Sequence, residues 1–230
     1  MTLLLARTTK VSLCVVVFFV ASGFASNVVN IAVMNPSFQT LPAGGLTFTC
    51  SGHNCSFSRG VGIPGWDTTS LSDGGQIHPS VGPGGLFDSF APGGGGNISA
   101  WSNGGTISQT VLPRVVDGFI YTLTVELGHR EDASFAGSAD LLVGGTGGQV
   151  FMATGTPPNP GHWSTYTATF TGTAADAGDT ITIQLISSGI QGNFDNVSLN
   201  AVVPEPSSML LLGAGLLPVI GVIRRRYLNR

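Results

Sequence analysis

The sequence predicts an all-β protein of antiparallel strands, and three observations carry that expectation. Its clearest segments alternate apolar and polar residues, which turns one face of a strand to a core and the other to water. No stretch of the body repeats apolar residues at helical spacing, while glycine supplies 34 of 230 residues and serine and threonine are abundant. The connection Gly172–Asp179 is too short for a crossover helix, so the strands it joins are antiparallel neighbours or lie in different sheets.

The chain opens on an address label. Arg7 and Lys10 precede an apolar stretch from Val11 to Val20, followed by Ala21-Ser22-Gly23-Phe24-Ala25. A positive start, a short apolar run and a small-residue cleavage pattern make residues 1–25 a secretory signal peptide. Cys14 lies inside the apolar run and leaves with it.

Residues 26–202 then form one domain of about 177 residues, large enough for a real core. Between Ser26 and Val203 the only cations are Arg59, Arg114 and Arg130, against eleven acids, so the net charge is 3 − 11 = −8. An acidic body without a basic patch excludes nucleic acid and anionic lipid as partners. Neutral glycans, or a bridging divalent cation, fit it better.

Cys50 and Cys55 flank the turn-prone Ser51-Gly52-His53-Asn54. In an exported chain this spacing predicts a local disulfide, and a metal site of both thiolates with His53 is the alternative. The glycine runs at 82–85 and 93–96 read as surface loops.

The second half supplies the strands. Tyr121–Leu127 buries Tyr121, Leu123, Val125 and Leu127; Tyr166–Thr171 alternates with the same period, and Thr180–Ile186 places Ile181, Ile183 and Leu185 on one face. In the last strand, Asn193–Leu199, strict alternation puts Asp195 on the apolar face with Val197 and Leu199, where an acid needs a cation or several backbone amides.

Five pieces in order resemble the galactose-binding-like jelly roll of carbohydrate-binding modules. Asn35-Pro36-Ser37-Phe38-Gln39 is similar to its opening strand and Ile63-Pro64-Gly65-Trp66 to the start of the next. Ile107–Val111 with Gly118–Leu127 resembles a middle pair, and Trp163–Phe170 with Phe194–Leu199 the closing strands. The resemblance implies two antiparallel sheets packed face to face as a jelly-roll sandwich. It also implies a structural Ca2+ near the opening strand, with Gln39 and Asp195 as ligands. Gln39 stands where the family usually has Glu, which weakens that site or removes it; the alternative is that Asp195 caps backbone amides.

Three tryptophans are candidate sugar platforms, because a polarised ring stacks on the apolar C–H patches of a pyranose. Trp66 and Trp163 read as packed. Trp101, between glycine-rich loops, is the candidate carbohydrate-binding residue. No catalytic constellation stands out: there is no nucleophile elbow, no His-Glu-x-x-His and no phosphate loop, and the acids do not single out a glycosidase pair. Glu131-Asp132 beside Arg130 reads as a solvated turn. The sequence is that of a non-enzyme.

Residues 203–230 form a second label. Pro204-Glu205-Pro206 precedes the uncharged run Met209–Ile223, which ends on Arg224-Arg225-Arg226. As a helix, that run rises only about 22 Å, short of the ~30 Å hydrocarbon core, so residues 207–223 hold the membrane transiently. The arginines stay cytoplasmic. This tail resembles the PEP-CTERM sorting signal of Gram-negative exopolysaccharide producers, and an ordinary C-terminal anchor is the alternative. The resemblance implies recognition by an exosortase at Pro204-Glu205-Pro206, removal of the tail, and delivery to the cell surface or extracellular matrix. The expectation is an exported, non-catalytic component that binds glycan or matrix with the exopolysaccharide. A structural matrix or adhesion protein with no sugar ligand is the alternative, and a glycan-active enzyme a third reading.

Overall fold

The computed structural model describes residues 27–93 and 96–203. The signal peptide, residues 1–25, and the sorting tail from Pro204 onward lie outside the described residues. Those described form twelve strands and no helix: β1 (Asn27–Ile31), β2 (Phe48–Thr49), β3 (Ser56–Phe57), β4 (Gly74–His78), β5 (Ser99–Ser102), β6 (Gly105–Thr110), β7 (Ile120–Gly128), β8 (Gly137–Val143), β9 (Gln149–Met152), β10 (Trp163–Thr171), β11 (Ile181–Ser187) and β12 (Gly192–Val203).

Eight strands make the larger sheet, in the order β10-β7-β12-β5-β4-β3-β2 with β1 beside β12. The smaller sheet runs β6-β11-β8-β9. Every ladder is antiparallel. This is the expected jelly-roll sandwich. The short Gly172–Asp179 connection switches sheets, carrying the chain from β10 in one to β11 in the other.

The core fills the space between the sheets. From the larger sheet come Tyr121, Leu123, Val125, Leu127, Phe170, Phe194 and Leu199; from the smaller, Ile107, Leu141, Ile181, Ile183 and Leu185. Each fully buried side chain of this kind contributes about 1.5–3 kcal/mol of hydrophobic free energy. The period-two pattern was therefore a faithful guide to facing in β7, β10 and β11.

Two expected strand starts are turns instead. Asn35–Gln39 lies after β1 as a tight turn in which Asn35 and Phe38 take positive φ of 47° and 58°. The turn drives the Phe38 ring into the core, 5.3 Å from that of Trp66. Ile63–Trp66 is a second turn, tied to the first by the Trp66 indole donating to the Asn35 carbonyl at 3.2 Å. Gln109 reaches in from β6 to bond the Met34 amide, the Met34 carbonyl and the Gly65 carbonyl. Buried carboxamides thus replace ladder bonds at this end of the sandwich.

One local irregularity decides where the acid on the last strand points. Asp195 pairs with Glu126 and Ser198 with Thr124, so two residues of β12, Asn196 and Val197, oppose one residue of β7. Asn196 accommodates this bulge with φ +48°. Phe194, rather than Asp195, shares the core with Val197 and Leu199. The expectation that Asp195 sits on the apolar face is corrected: its side chain joins Glu126 on the outer face of the larger sheet.

Candidate functional site

The outer face of the larger sheet is covered in part by loops, which create a second small core of Cys55, Ile77, Leu86, Phe87 and Trp101. The 80–88 segment is pinned there by the Leu86 amide donating to the Ser80 carbonyl, the Glu131 amide to the Leu86 carbonyl and the Asp88 amide to the Gly161 carbonyl, at 2.8–3.0 Å. Phe87 stacks on Trp163 with ring centroids 4.7 Å apart. The glycine-rich stretch at 82–85 is therefore the bend of a packed flap rather than a free loop.

Beside this flap opens a groove of about 360 Å3. One wall is the β2–β3 hairpin, whose tip is closed by the Cys50–Cys55 disulfide with α-carbons 5.3 Å apart. The bridge removes the thiolates that a metal site with His53 needs. Phe57 on this hairpin stacks against Phe48 at 5.4 Å and meets Trp101 edge-on at 5.6 Å. An aromatic row therefore runs from the half-exposed Phe48 down to the groove floor.

The opposite wall is charged but self-neutralised. Arg130 donates Nε–H and Nη2–H to the two oxygens of Asp132 at 2.8 and 2.7 Å, and another N–H to Gln191. This bidentate clamp, helped by His53 3.7 Å away, holds the Asp132 carboxyl below the usual carboxylate range. Glu131-Asp132 is the expected solvated turn, with both residues exposed, while Arg130 beside it is mostly buried in the groove wall. Farther along, Arg59 Nε donates to Asp73 at 2.8 Å, and Asn103 donates to the other Asp73 oxygen at 3.3 Å. Two of the body's three arginines thus meet in one groove of net charge 2 − 2 = 0.

Trp101 belongs to this groove, but not as the exposed platform expected of it. Only 4% of it is exposed, and its indole N–H donates to the Ser58 carbonyl at 3.2 Å. It forms the floor, showing an edge. The residues that present rings and polar groups, namely Phe48, Phe57, Arg59, Asp73, Arg130 and Asp132, come from four segments far apart in sequence, and only the pairing of an Arg with an Asp two residues away signalled any of them.

A second polar assembly lies on the same outer face. Across the outer face, one rung carries Asp195 on β12, Glu126 on β7 and Thr165 on β10, with Ser99 buried on the neighbouring β5. Ser99, Asp195 and Glu126 are 2%, 2% and 7% exposed. Thr165 donates to one Glu126 oxygen at 2.6 Å and the Asn196 amide donates to Asp195 at 2.7 Å. The second Glu126 oxygen and the Ser99 hydroxyl have no partner among the described residues. Burial, and less so the neighbouring Glu126, push the Asp195 carboxyl up to about 8.

Asp195 and Gln39 are given different partners. The Gln39 amide nitrogen donates to the Ser37 and Ile98 carbonyls, while the Asp195 carboxyl faces Glu126. Among the described residues, no group of three or more His, Cys, Asp or Glu is placed to hold a metal ion.

Comparison with known proteins places the fold in a family. Residues 29–200 match the HpiC1-like family, described as HpiC1 cyclase. The chain belongs to this HpiC1-like family. Residues 202–226 match the PEP-CTERM protein-sorting motif, so the HpiC1-like body is followed by a signal for export to the cell surface. No curated protein matches the chain. Among solved structures, the CBM22-2 xylan-binding domain of Paenibacillus barcinonensis Xyn10C is similar at 15% identity and TM-score 0.42, covering 61% of this chain and 93% of that one. The CBM22-1 xylan-binding domain of the same protein is similar at 12% identity and TM-score 0.40, covering 78% and 96%. TmCBM61, solved with β-1,4-galactotriose, is similar at 14% identity and TM-score 0.35, covering 74% and 97%.

Proposed function

We propose that this protein is a non-catalytic surface component whose body binds a neutral glycan of the exopolysaccharide in the groove beside the disulfide-closed hairpin. The carrying observation is the composition of that groove: Phe57, extended by Phe48 stacked on it, and Trp101 share it with two Arg–Asp pairs that cancel each other. Rings supply stacking surface for pyranose C–H patches, and planar guanidinium and carboxylate groups hydrogen-bond ring hydroxyls without selecting a charged partner. The body's charge of −8 repels polyanions. On this reading an exosortase recognises Pro204-Glu205-Pro206 while residues 207–223 hold the membrane, and removes the tail with Arg224, Arg225 and Arg226. The test is titration of the exported protein with the host's own exopolysaccharide, followed by tryptophan fluorescence and retention on immobilised polymer. Saturable binding supports the reading. No fluorescence change and no retention would leave a structural matrix protein that recognises no sugar.

A second reading rests on Asp195 and on the word cyclase in the family's description. A carboxylic acid held protonated near neutral pH beside a second carboxyl can donate a proton to a ring-closing substrate. Asp195 is 2% exposed, so the residues covering it must move for a substrate to reach it. Conversion of any candidate substrate that is lost in Asp195→Asn, with the groove's glycan binding intact, would favour this reading over the first.

A further inference from the structure

We infer that the groove does not stop at Arg59 and Asp73 but passes over them into a second cleft, and that the pair of clefts takes an internal stretch of an unbranched neutral polysaccharide. This rests on the glycan reading above.

The second cleft has about 370 Å3 and is lined by the backbone of three glycines (60, 62 and 74), by Thr68 and Ser72, and by the apolar side chains of Val61 and Leu71. Arg59 and Asp73 line both clefts, so their ion pair is a shared sill, not an end wall. Arg59 spends one N–H on Asp73 and is more than half exposed, which leaves its other donors for a ligand lying across the sill. Asp73 is fixed from beneath by Asn103, whose backbone amide also donates to the Asp73 carbonyl at 2.8 Å. The sill is therefore preorganised.

The lining chooses the ligand class. Glycine backbone and short hydroxyl side chains offer hydrogen bonds, and Val61 and Leu71 add a modest apolar surface for the C–H patches of a sugar, so the lining suits a polyol rather than a peptide with side chains to bury. Gly74 keeps the floor low because neighbouring backbone forbids anything larger: a Cβ there would come 2.7 Å from the Trp101 carbonyl oxygen. Neither cleft has a charge to spare, since both arginines are already neutralised. Open at both sides of the sill, the site receives a chain along its length and makes no demand for a chain end.

Gly62 supplies a clean test. A Cβ built there meets only the Thr68 hydroxyl, at 3.9 Å, and its φ is not in the left-handed region, so Gly62→Leu fills the second cleft without straining the backbone. The experiment is calorimetric titration of the exported protein and Gly62→Leu with a disaccharide, a tetrasaccharide and a hexasaccharide from the host's own neutral exopolysaccharide, with melting temperature as the folding check. The expected result is an affinity that rises roughly tenfold from disaccharide to hexasaccharide, a gain that Gly62→Leu abolishes while leaving the disaccharide unaffected. Equal affinity at all lengths overturns the two-cleft inference and leaves the glycan reading standing. A length-dependent gain that survives Gly62→Leu also overturns it, because the chain then leaves the groove elsewhere. No binding at any length removes the glycan reading itself. Where Gly62→Leu lowers the melting temperature, Ser72→Leu plugs the same cleft and is judged by the same outcomes.

Discussion

Asp195 and Glu126 are directly paired across β12 and β7, side by side on the outer face of the larger sheet and almost entirely out of water. Burial, and to a lesser degree the neighbouring Glu126, keeps Asp195 protonated to about pH 8. In the unfolded chain the same group titrates near ~3.9.

A pH dependence follows. Between those two values the folded state holds a proton that the unfolded state has released, so stability is fully present below the unfolded value. It falls as pH rises and levels off above about 8. Asp132 and Asp176 act in the opposite sense: Arg130 and Thr173 respectively hold their carboxyls low, so their contribution is present above the ordinary carboxylate range and lost as pH falls. Urea midpoints across this range are expected to decline on the alkaline side, and Asp195→Asn to flatten that decline. An unchanged slope in the variant would assign it to another group.

The hairpin gives a second prediction. The Cys50–Cys55 ring is short, so the bridge limits the unfolded chain by only about 2 kcal/mol. Its larger effect is local, because Cys50 lines the groove and the hairpin carries Phe48 and Phe57. The Cys50→Ser, Cys55→Ser double variant is expected to stay folded, with a lower melting temperature, and to bind glycan several-fold more weakly. Full affinity in that variant would show that the hairpin holds its shape without the bridge.

The core makes a plainer prediction. Leu185 is wholly buried between the sheets, and Leu185→Ala should cost about 2–5 kcal/mol of unfolding free energy. Leu112 is 95% exposed, and Leu112→Ala should change stability by less than about 0.5 kcal/mol. Denaturant unfolding of the two variants measures both.

What the sequence made legible was governed by local rules. Strands β7, β10 and β11 are long and strictly alternating, so their facing followed from period two alone. Asp195 was misplaced because a bulge at Asn196 shifts parity, and an asparagine at positive φ carries no mark in the alternation pattern. Asn35–Gln39 and Ile63–Trp66 were expected as strand starts only from the resemblance to carbohydrate-binding modules; long-range bonds from Asn35, Gln76 and Gln109 hold them as turns. The groove was the least legible part. Phe57, Arg59, Asp73 and Arg130 are ordinary residues until the sheet brings their segments together, whereas Trp101 drew notice for its size and proved to be floor.

The aromatic wall supplies the last prediction. Phe57 touches both Phe48 and Trp101, stacking on the first and standing edge-on to the second, so it is the only described ring joining the exposed end of the row to the floor. Phe48 is nearly half exposed and contributes little to packing beyond that stack. Phe48→Ala should therefore leave stability nearly unchanged, yet weaken glycan binding by about 0.5–1.5 kcal/mol, a factor of roughly two to ten. Phe57→Ala should weaken binding at least as much and also lower the melting temperature, because it uncovers Trp101. Exposure of that indole shifts its fluorescence to the red, so emission separates the two variants before any ligand is added. Binding unchanged in Phe48→Ala would place the sugar against the Arg130–Asp132 wall alone, and a ligand that perturbs neither variant's emission would move the site off the hairpin altogether.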